Sequence, residues 1–314
     1  MGKIDVETLS LAKSFAGTDE VKKICLGNDK IWESDVTLPY VKFSSPYTFT
    51  LSTKNNTAGW TTYDNYQKME TSTDGENWTT WNGTTTVSSA LVGGKYVLYV
   101  RGNQKDTMEE YHWGITGSGG SRELSSSDAI GWILAGTDGS ITIEGTLTTL
   151  CDYNFNCSFG AYGCAYLFSG NRSIVDVSKL KFGGISNAVG DGKYRGLFYN
   201  CEFLKYPMSF KELETSAQVP YRYFQYMYYN CYELERLPKL CVNTYGKAVY
   251  SYIFNNCTKI CLSTAQTGIY QNQYPIYITA QDSDVFSGAF ANTGGTFVGT
   301  PTINTVYYTS NQIV

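Results

Sequence analysis

Between Cys164 and Phe297 the apolar positions follow a long period. A large ring is followed by two residues, then Cys or Asn, two more residues, and Leu or Ile. The copies are Phe168-Ser-Gly-Asn171-Arg-Ser-Ile174, Phe198-Tyr-Asn-Cys201-Glu-Phe-Leu204, Tyr228-Tyr-Asn-Cys231-Tyr-Glu-Leu234 and Phe254-Asn-Asn-Cys257-Thr-Lys-Ile260. A degenerate fifth, Phe290-Ala-Asn-Thr293, closes the run, and the lead ring returns after 30, 30, 26 and 36 residues. A period of this size predicts stacked supersecondary units, none of which can bury its apolar face alone. The ring and the Leu or Ile are expected to point inward. The Cys or Asn takes a tight corner, where a small buried side chain fits and Asn can bond buried backbone groups. The Pro of Leu234-Glu-Arg-Leu237-Pro238-Lys-Leu240 predicts extended or turn backbone after the corner. The aromatic runs Tyr221-Arg-Tyr223-Phe224-Gln-Tyr226-Met227 and Tyr250-Ser-Tyr252-Ile253 predict short helices or helical turns.

Upstream the period drops to two. Tyr47–Leu51, Gln67–Thr71 and Lys95–Val100 read as strands, separated by the turn dipeptides Asp74-Gly75 and Asn82-Gly83. Short strands at this spacing predict an immunoglobulin-like β-sandwich over 37–112. Ser72-Thr-Asp74-Gly75-Glu-Asn-Trp78 resembles the Asp-box hairpin of sialidases. A sialidase needs repeated blades, and only one copy is present, so a turn braced by its Trp is expected. Residues 1–36 carry a hairpin signal, with Val21–Leu26 and Ile31-Trp32 flanking Gly27-Asn28-Asp29-Lys30. Residues 113–150 are expected to be a linker ending in the strand Ile141–Leu147, and 151–314 to be the repeat domain with its C-terminal cap.

The repeats resemble the BspA-like class of leucine-rich repeats over residues 145–300. The resemblance implies a solenoid. The ending from Phe290 to Pro301 is similar to the terminal coil of such arrays in tailed-phage virion proteins, and Val21–Glu33 resembles a segment near the start of accessory virion proteins. The expected fold class is therefore mainly β with short helices: an N-terminal hairpin, an immunoglobulin-like sandwich and a BspA-like repeat solenoid.

Composition narrows the functional classes. Charged residues are 17 %, against a usual share of about 25 %, and Tyr numbers 27. The formal net charge is −4 with no basic cluster, which argues against nucleic acid. No apolar run reaches the roughly 18 residues of a membrane span, and the start of the chain lacks the apolar core of a secretory signal. A phage structural protein, assembled in the host cytoplasm and housed in the virion, needs no such signal. Nine Cys are present, three of them at repeat corners. A disulfide between Cys151 and Cys157 or between Cys257 and Cys261 stays open.

Sites of chemistry are not evident. His112 is the one histidine, and no phosphate loop or zinc knuckle appears. Asp282 and Asp284 suit a solvated loop better than a calcium corner or a glycosidase-like pair. No catalytic residue, cofactor or metal is expected. Tyr226, Tyr229 and Tyr232, with Tyr245 and Tyr270, fall between core positions and offer flat faces with hydroxyls for a sugar or protein. The expectation is a non-enzymatic, multi-copy or homo-oligomeric virion protein. It would be held to other virion proteins through residues 1–36 and bind a host-surface polysaccharide or protein through its repeats, without membrane insertion. The alternatives are a purely architectural decoration protein and a bacterial cell-surface adhesin.

Overall fold

The computed structural model describes residues 23–26, 29–33, 38–53, 69–81, 83, 85–102, 131–151, 163–183, 191–213, 218–280 and 282–314. His112, Cys157 and the strand start at Gln67 lie outside them. The chain divides into two compact units, Met1–Leu38 and Pro39–Val314.

In the first unit, β1 (Lys23–Leu26) and β2 (Asp29–Glu33) pair antiparallel, with Ile24 opposite Trp32 and Leu26 opposite Asp29. The register shifts between Ile24 and Cys25. The expected hairpin is present, and its second strand begins two residues before Ile31.

The second unit is mainly β, with no long helix among the described residues. It begins with β3 (Val41–Ser45), β4 (Thr50–Thr53), β5 (Met69–Ser72), β6 (Thr79–Trp81), β7 (Val87–Ser88), β8 (Ala90–Val92) and β9 (Lys95–Gly102). Then come β10 (Trp132–Ala135), β11 (Ile141–Thr146) and β12 (Ile174–Lys181). One sheet has the order β12-β11-β3-β9-β5-β6, with β8 also on β9; a second has the order β10-β4-β7. Each strand sends alternate side chains to one face, so Trp132 and Leu134 of β10 are buried while Ile133 and Ala135 are exposed. Trp132 is the junction of the core. Its ring lies 5.6 Å from Trp81, 6.2 Å from Phe43 and 5.7 Å from Phe168, the first ring of the repeats.

β11 pairs antiparallel with β3 and parallel with β12. The sheet is thus continuous from the 37–112 region into the repeats, and the expected linker supplies two strands. At β11 the backbone of Tyr40 comes so close that a Cβ on Gly145, at φ +116, would stand 2.1 Å from the Tyr40 carbonyl. Only glycine fits that approach.

The repeat copies occupy equivalent positions in stacked turns. Phe168, Phe198, Tyr228 and Phe254 are fully buried and stack at 5.6, 5.7 and 5.9 Å, with ring planes within 12°. Phe290 continues the column at 5.3 Å, tilted. A second column runs Tyr194, Phe224, Tyr250, Phe286 at 6.0, 5.6 and 5.3 Å. Ile174, Leu204, Leu234 and Ile260 are all buried. Each such side chain contributes about 1.5–3 kcal/mol of burial.

The corner residues differ for a reason. Cys201, Cys231 and Cys257 are buried, and their thiols donate to the carbonyls of Phe168, Phe198 and Tyr228, one turn earlier. Asn171, in the first turn, faces β10 instead. Its Oδ1 accepts from Leu134 N (2.7 Å) and its Nδ2 donates to Trp132 O and Phe168 O. Two backbone groups of opposite polarity must be met there, which an amide does and a thiol cannot. Cys257 and Cys261 are separate thiols, so that bridge is not formed.

Of the expected short helices or helical turns, the aromatic runs before the lead rings form turns: ribbons of overlapping turns with no helix. The N–H groups of Gly192, Tyr194, Gly196, Phe198 and Asn200 donate to carbonyls of the next turn, at 2.8–3.0 Å. The intervening Arg195, Leu197, Tyr199 and Cys201 donate back three residues within the same turn. Every fourth residue takes positive φ: Arg222, Tyr226 and Asn230, then Ala248, Tyr252 and Asn256. A left-handed residue costs on the order of 1–2 kcal/mol, which the inter-turn bonds offset.

Beyond the corners lie β13 (Arg236–Leu237), β14 (Cys261–Ser263), β15 (Asn272–Ile276), β16 (Gly294–Gly295), β17 (Thr305–Thr309) and β18 (Gln312–Ile313). The C-terminal strands fold back over the last turns, with β18 on β13 and β17 between β15 and β14. Asn311 staples them: its Nδ2 donates to Glu235 O and Lys259 O, and its Oδ1 accepts from Cys261 N.

Candidate functional site

The ribbons repeat in pairs of residues. The inward pairs are the ring columns and their apolar neighbours. The intervening positions form four parallel columns, read across successive turns; the first is buried throughout, and partly exposed positions of the others include Tyr199, Tyr226, Tyr229 and Tyr252. The columns are Ala165, Arg195, Gln225, Ser251; Tyr166, Gly196, Tyr226, Tyr252; Ser169, Tyr199, Tyr229, Asn255; and Gly170, Asn200, Asn230, Asn256, Asn292.

Tyrosine dominates this face. Tyr199 and Tyr229 stack at 4.9 Å and Tyr226 and Tyr252 at 5.2 Å. Tyr226 meets Tyr229 edge-on at 5.7 Å, which joins the two rows. All four are half-buried, and Tyr232 beyond the corner is 38 % exposed. The structure therefore brings the expected Tyr226 and Tyr229 together. Tyr232 stands close enough to Tyr199 to act on its titration: Tyr199 is raised above the usual phenol range first by burial, then by Tyr229, Tyr226 and Tyr232. Tyr245 is exposed and apart from this group, and Tyr270 is buried, contrary to expectation.

Beside the rings runs an amide ladder. Asn230 Nδ2 donates to Asn200 Oδ1 (2.7 Å), Asn256 to Asn230 (2.7 Å) and Asn292 to Asn256 (2.9 Å). These Asn sit at φ near +60, where Asn is better tolerated than most residues. The ladder fixes the register of the face, and the sequence signal for it is the Asn immediately before each corner from Asn200 onward. Tyr166, Tyr199, Tyr252 and Arg195 were not singled out in the sequence, because only the in-register stacking reveals them as neighbours.

The other candidates play structural parts. Asp74 accepts from Glu76 N, Asn77 N, Asn77 Nδ2 and Ser72 Oγ, bonds that hold its carboxyl well below the usual carboxylate range. Trp78 of the same hairpin lies 3.9 Å beneath the Arg101 guanidinium. Asp282 accepts from Asp284 N and caps a single 3-10 turn. No cluster of three metal-ligating side chains occurs among the described residues, and none of their helices is long and apolar enough to cross a membrane. Comparison with protein-family models, curated proteins and solved structures finds no match.

Proposed function

We propose that the stacked turns are a short BspA-like leucine-rich-repeat solenoid, and that the preceding sheets are an immunoglobulin-like sandwich. On this reading the protein is a non-enzymatic structural protein of a tailed-phage virion. It is held to other virion proteins by residues 1–36, is present in several copies, and engages a host-surface glycan or protein through its tyrosine face. The observation that carries the reading is the half-exposed, interlocked row of Tyr199, Tyr229, Tyr226 and Tyr252 on a rigid stack of turns. Pre-organised rings bind with little loss of side-chain entropy. The phage assignment rests on the sequence resemblances alone.

The test is binding of the purified protein to host cells. The double variant Tyr199→Ala/Tyr229→Ala is expected to lose at least tenfold in affinity while its circular dichroism is unchanged. Equal binding by the two proteins contradicts the surface role and leaves the architectural one. Virions carrying a chain without residues 1–36 are expected to lack the protein; normal incorporation contradicts the anchoring.

A further inference from the structure

Arg195 is left unexplained by the aromatic packing. It is 5 % exposed and makes a side-chain hydrogen bond with the Tyr166 hydroxyl, but its Nε and Nη1 are buried without a hydrogen-bond partner. No ion pair of the described residues includes it. More exposed arginines are paired: Arg172 with Asp138 and Glu202, Arg101 with Glu70. Among the described residues Arg195 is thus buried with no carboxylate paired to it, while Arg172 and Arg101 each have one. Cation–π contact accounts for part of this. The guanidinium carbon lies 5.5 Å from the Tyr226 ring centroid and 6.0 Å from that of Tyr166. Such contacts are weak, whereas leaving polar groups buried and unpaired is costly, more so when they are charged.

The surroundings are packed with rings. Tyr166 and Tyr226 belong to the turns before and after Arg195, and the equivalent position between them is Gly196, at φ +59. A Cβ there would stand 2.2 Å from Tyr166 Cε1, so glycine lets the Tyr166 ring lie across this turn, as Gly288 does for the Tyr252 ring in the last one. In the next turn, beside Arg195, stands Gln225, 5 % exposed, with Oε1 also unpaired. Two donors and an acceptor are therefore buried, unmatched, behind the half-exposed Tyr226.

We propose that the buried Arg195 and Gln225 behind Tyr226 form a subsite for the carboxylate of an acidic saccharide, a uronic or sialic acid. The guanidinium takes the two carboxylate oxygens as a fork, Gln225 Oε1 accepts a sugar hydroxyl, and the sugar ring lies on Tyr199 and Tyr229. Tyr226 alone swings outward to admit it, giving up its stack on Tyr252 and its edge contact with Tyr229, while Tyr199 and Tyr229 remain the pre-organised pair. A single guanidinium among neutral column neighbours suits a monoanion, and the net charge of −4 disfavours polyanions. The inference rests on the glycan-binding reading of the tyrosine face and specifies its ligand.

The experiment is titration calorimetry of the full chain with two matched pairs, each with a monoanionic member: 3′-sialyllactose against lactose, and methyl glucuronide against methyl glucoside. Wild type is expected to prefer one acidic member at least tenfold over its neutral partner, and the pair that shows the preference identifies sialate or uronate. Arg195→Gln is expected to bring the ratio to about one, with neutral-sugar affinity retained. Arg195→Lys, which keeps charge and loses the fork, is expected to fall between, and serves alone if Arg195→Gln does not fold. A wild type without acidic preference, or an Arg195→Gln protein that keeps it, overturns the proposal. If no sugar binds while host cells are still bound through the tyrosine face, the subsite fails and the surface role stands. If host-cell binding is also absent, both fail.

Discussion

Replacing Phe198 by alanine removes the middle of the main ring column. The side chain is fully buried between Phe168 at 5.6 Å and Tyr228 at 5.7 Å, both nearly parallel to it. A buried Phe→Ala change costs about 3–5 kcal/mol through lost transfer energy and the cavity left behind. Each ring pair carries about 0.5–1.5 kcal/mol of that beyond area burial. The turns on both sides are held by inter-turn backbone bonds (Phe198 N to Met227 O at 2.9 Å, Phe168 N to Leu197 O at 3.0 Å), so the site cannot collapse freely. The expected loss is therefore in the upper half of the range, about 4–5 kcal/mol. Tyr229→Ala is the control. It removes one outward stack on Tyr199 and a half-buried ring, for about 1–2 kcal/mol. The assay is urea unfolding followed by tryptophan fluorescence, for which Trp132 and Trp81 report from beside Phe168, and by near-ultraviolet circular dichroism. Coincident transitions license the comparison of midpoints. A Phe198→Ala cost below that of Tyr229→Ala would refute the inward-stacked column.

Further outcomes follow from the corners, the ladder and the buried phenols. Asn171→Cys installs the residue of the later corners and strands Leu134 N and Trp132 O; a loss of about 2–4 kcal/mol is expected in the same urea assay, and a neutral result contradicts the account of the first corner. Asn230→Ala breaks two ladder bonds at φ +60 and is expected to cost about 2–3 kcal/mol, against about 1–2 kcal/mol for Asn230→Gly, which keeps the backbone; equal costs would mean that φ is not strained there. Burial pushes Tyr194, Tyr223, Tyr228, Tyr250 and Tyr274 above the usual phenol range and Tyr166 up to about 12. Folded phenols keep protons that unfolded ones release, so stability is full below about pH 10 and falls above it, by about 1.4 kcal/mol per pH unit per buried Tyr. The tyrosinate absorbance of these six is expected as a late step that coincides with unfolding as pH rises; ionisation of all 27 Tyr with the fold intact contradicts the burial.

The core of the repeats was legible because its signal is chemical and periodic. Phe198, Tyr228 and Phe254 recur in phase with Cys201, Cys231 and Cys257, and those residue types have few other reasons to do so. The turn ribbons were not legible. Tyr226, Arg222 and Ala248 hold positive φ, a conformation their propensities disfavour, and only hydrogen bonds to the adjacent turn justify it. β10 was missed because Trp132-Ile-Leu-Ala135 is apolar throughout and shows no alternation. At the site, Tyr226 and Tyr229 could be chosen by spacing within one turn. Arg195 could not, since its neighbours Tyr166 and Tyr226 come from turns 29 and 31 residues away and meet it only through stacking.

Hydrogen exchange at the amides of Phe198, Tyr228 and Phe254 tests the stacked turns most directly. Each donates to a carbonyl of the following turn, Met227, Ile253 and Ala289. Exchange of all three only through one shared, rare opening, with the same dependence on urea, is the predicted result. Fast or independent exchange at any of the three would mean that the turns do not share one core, and the face built on them would lose its support.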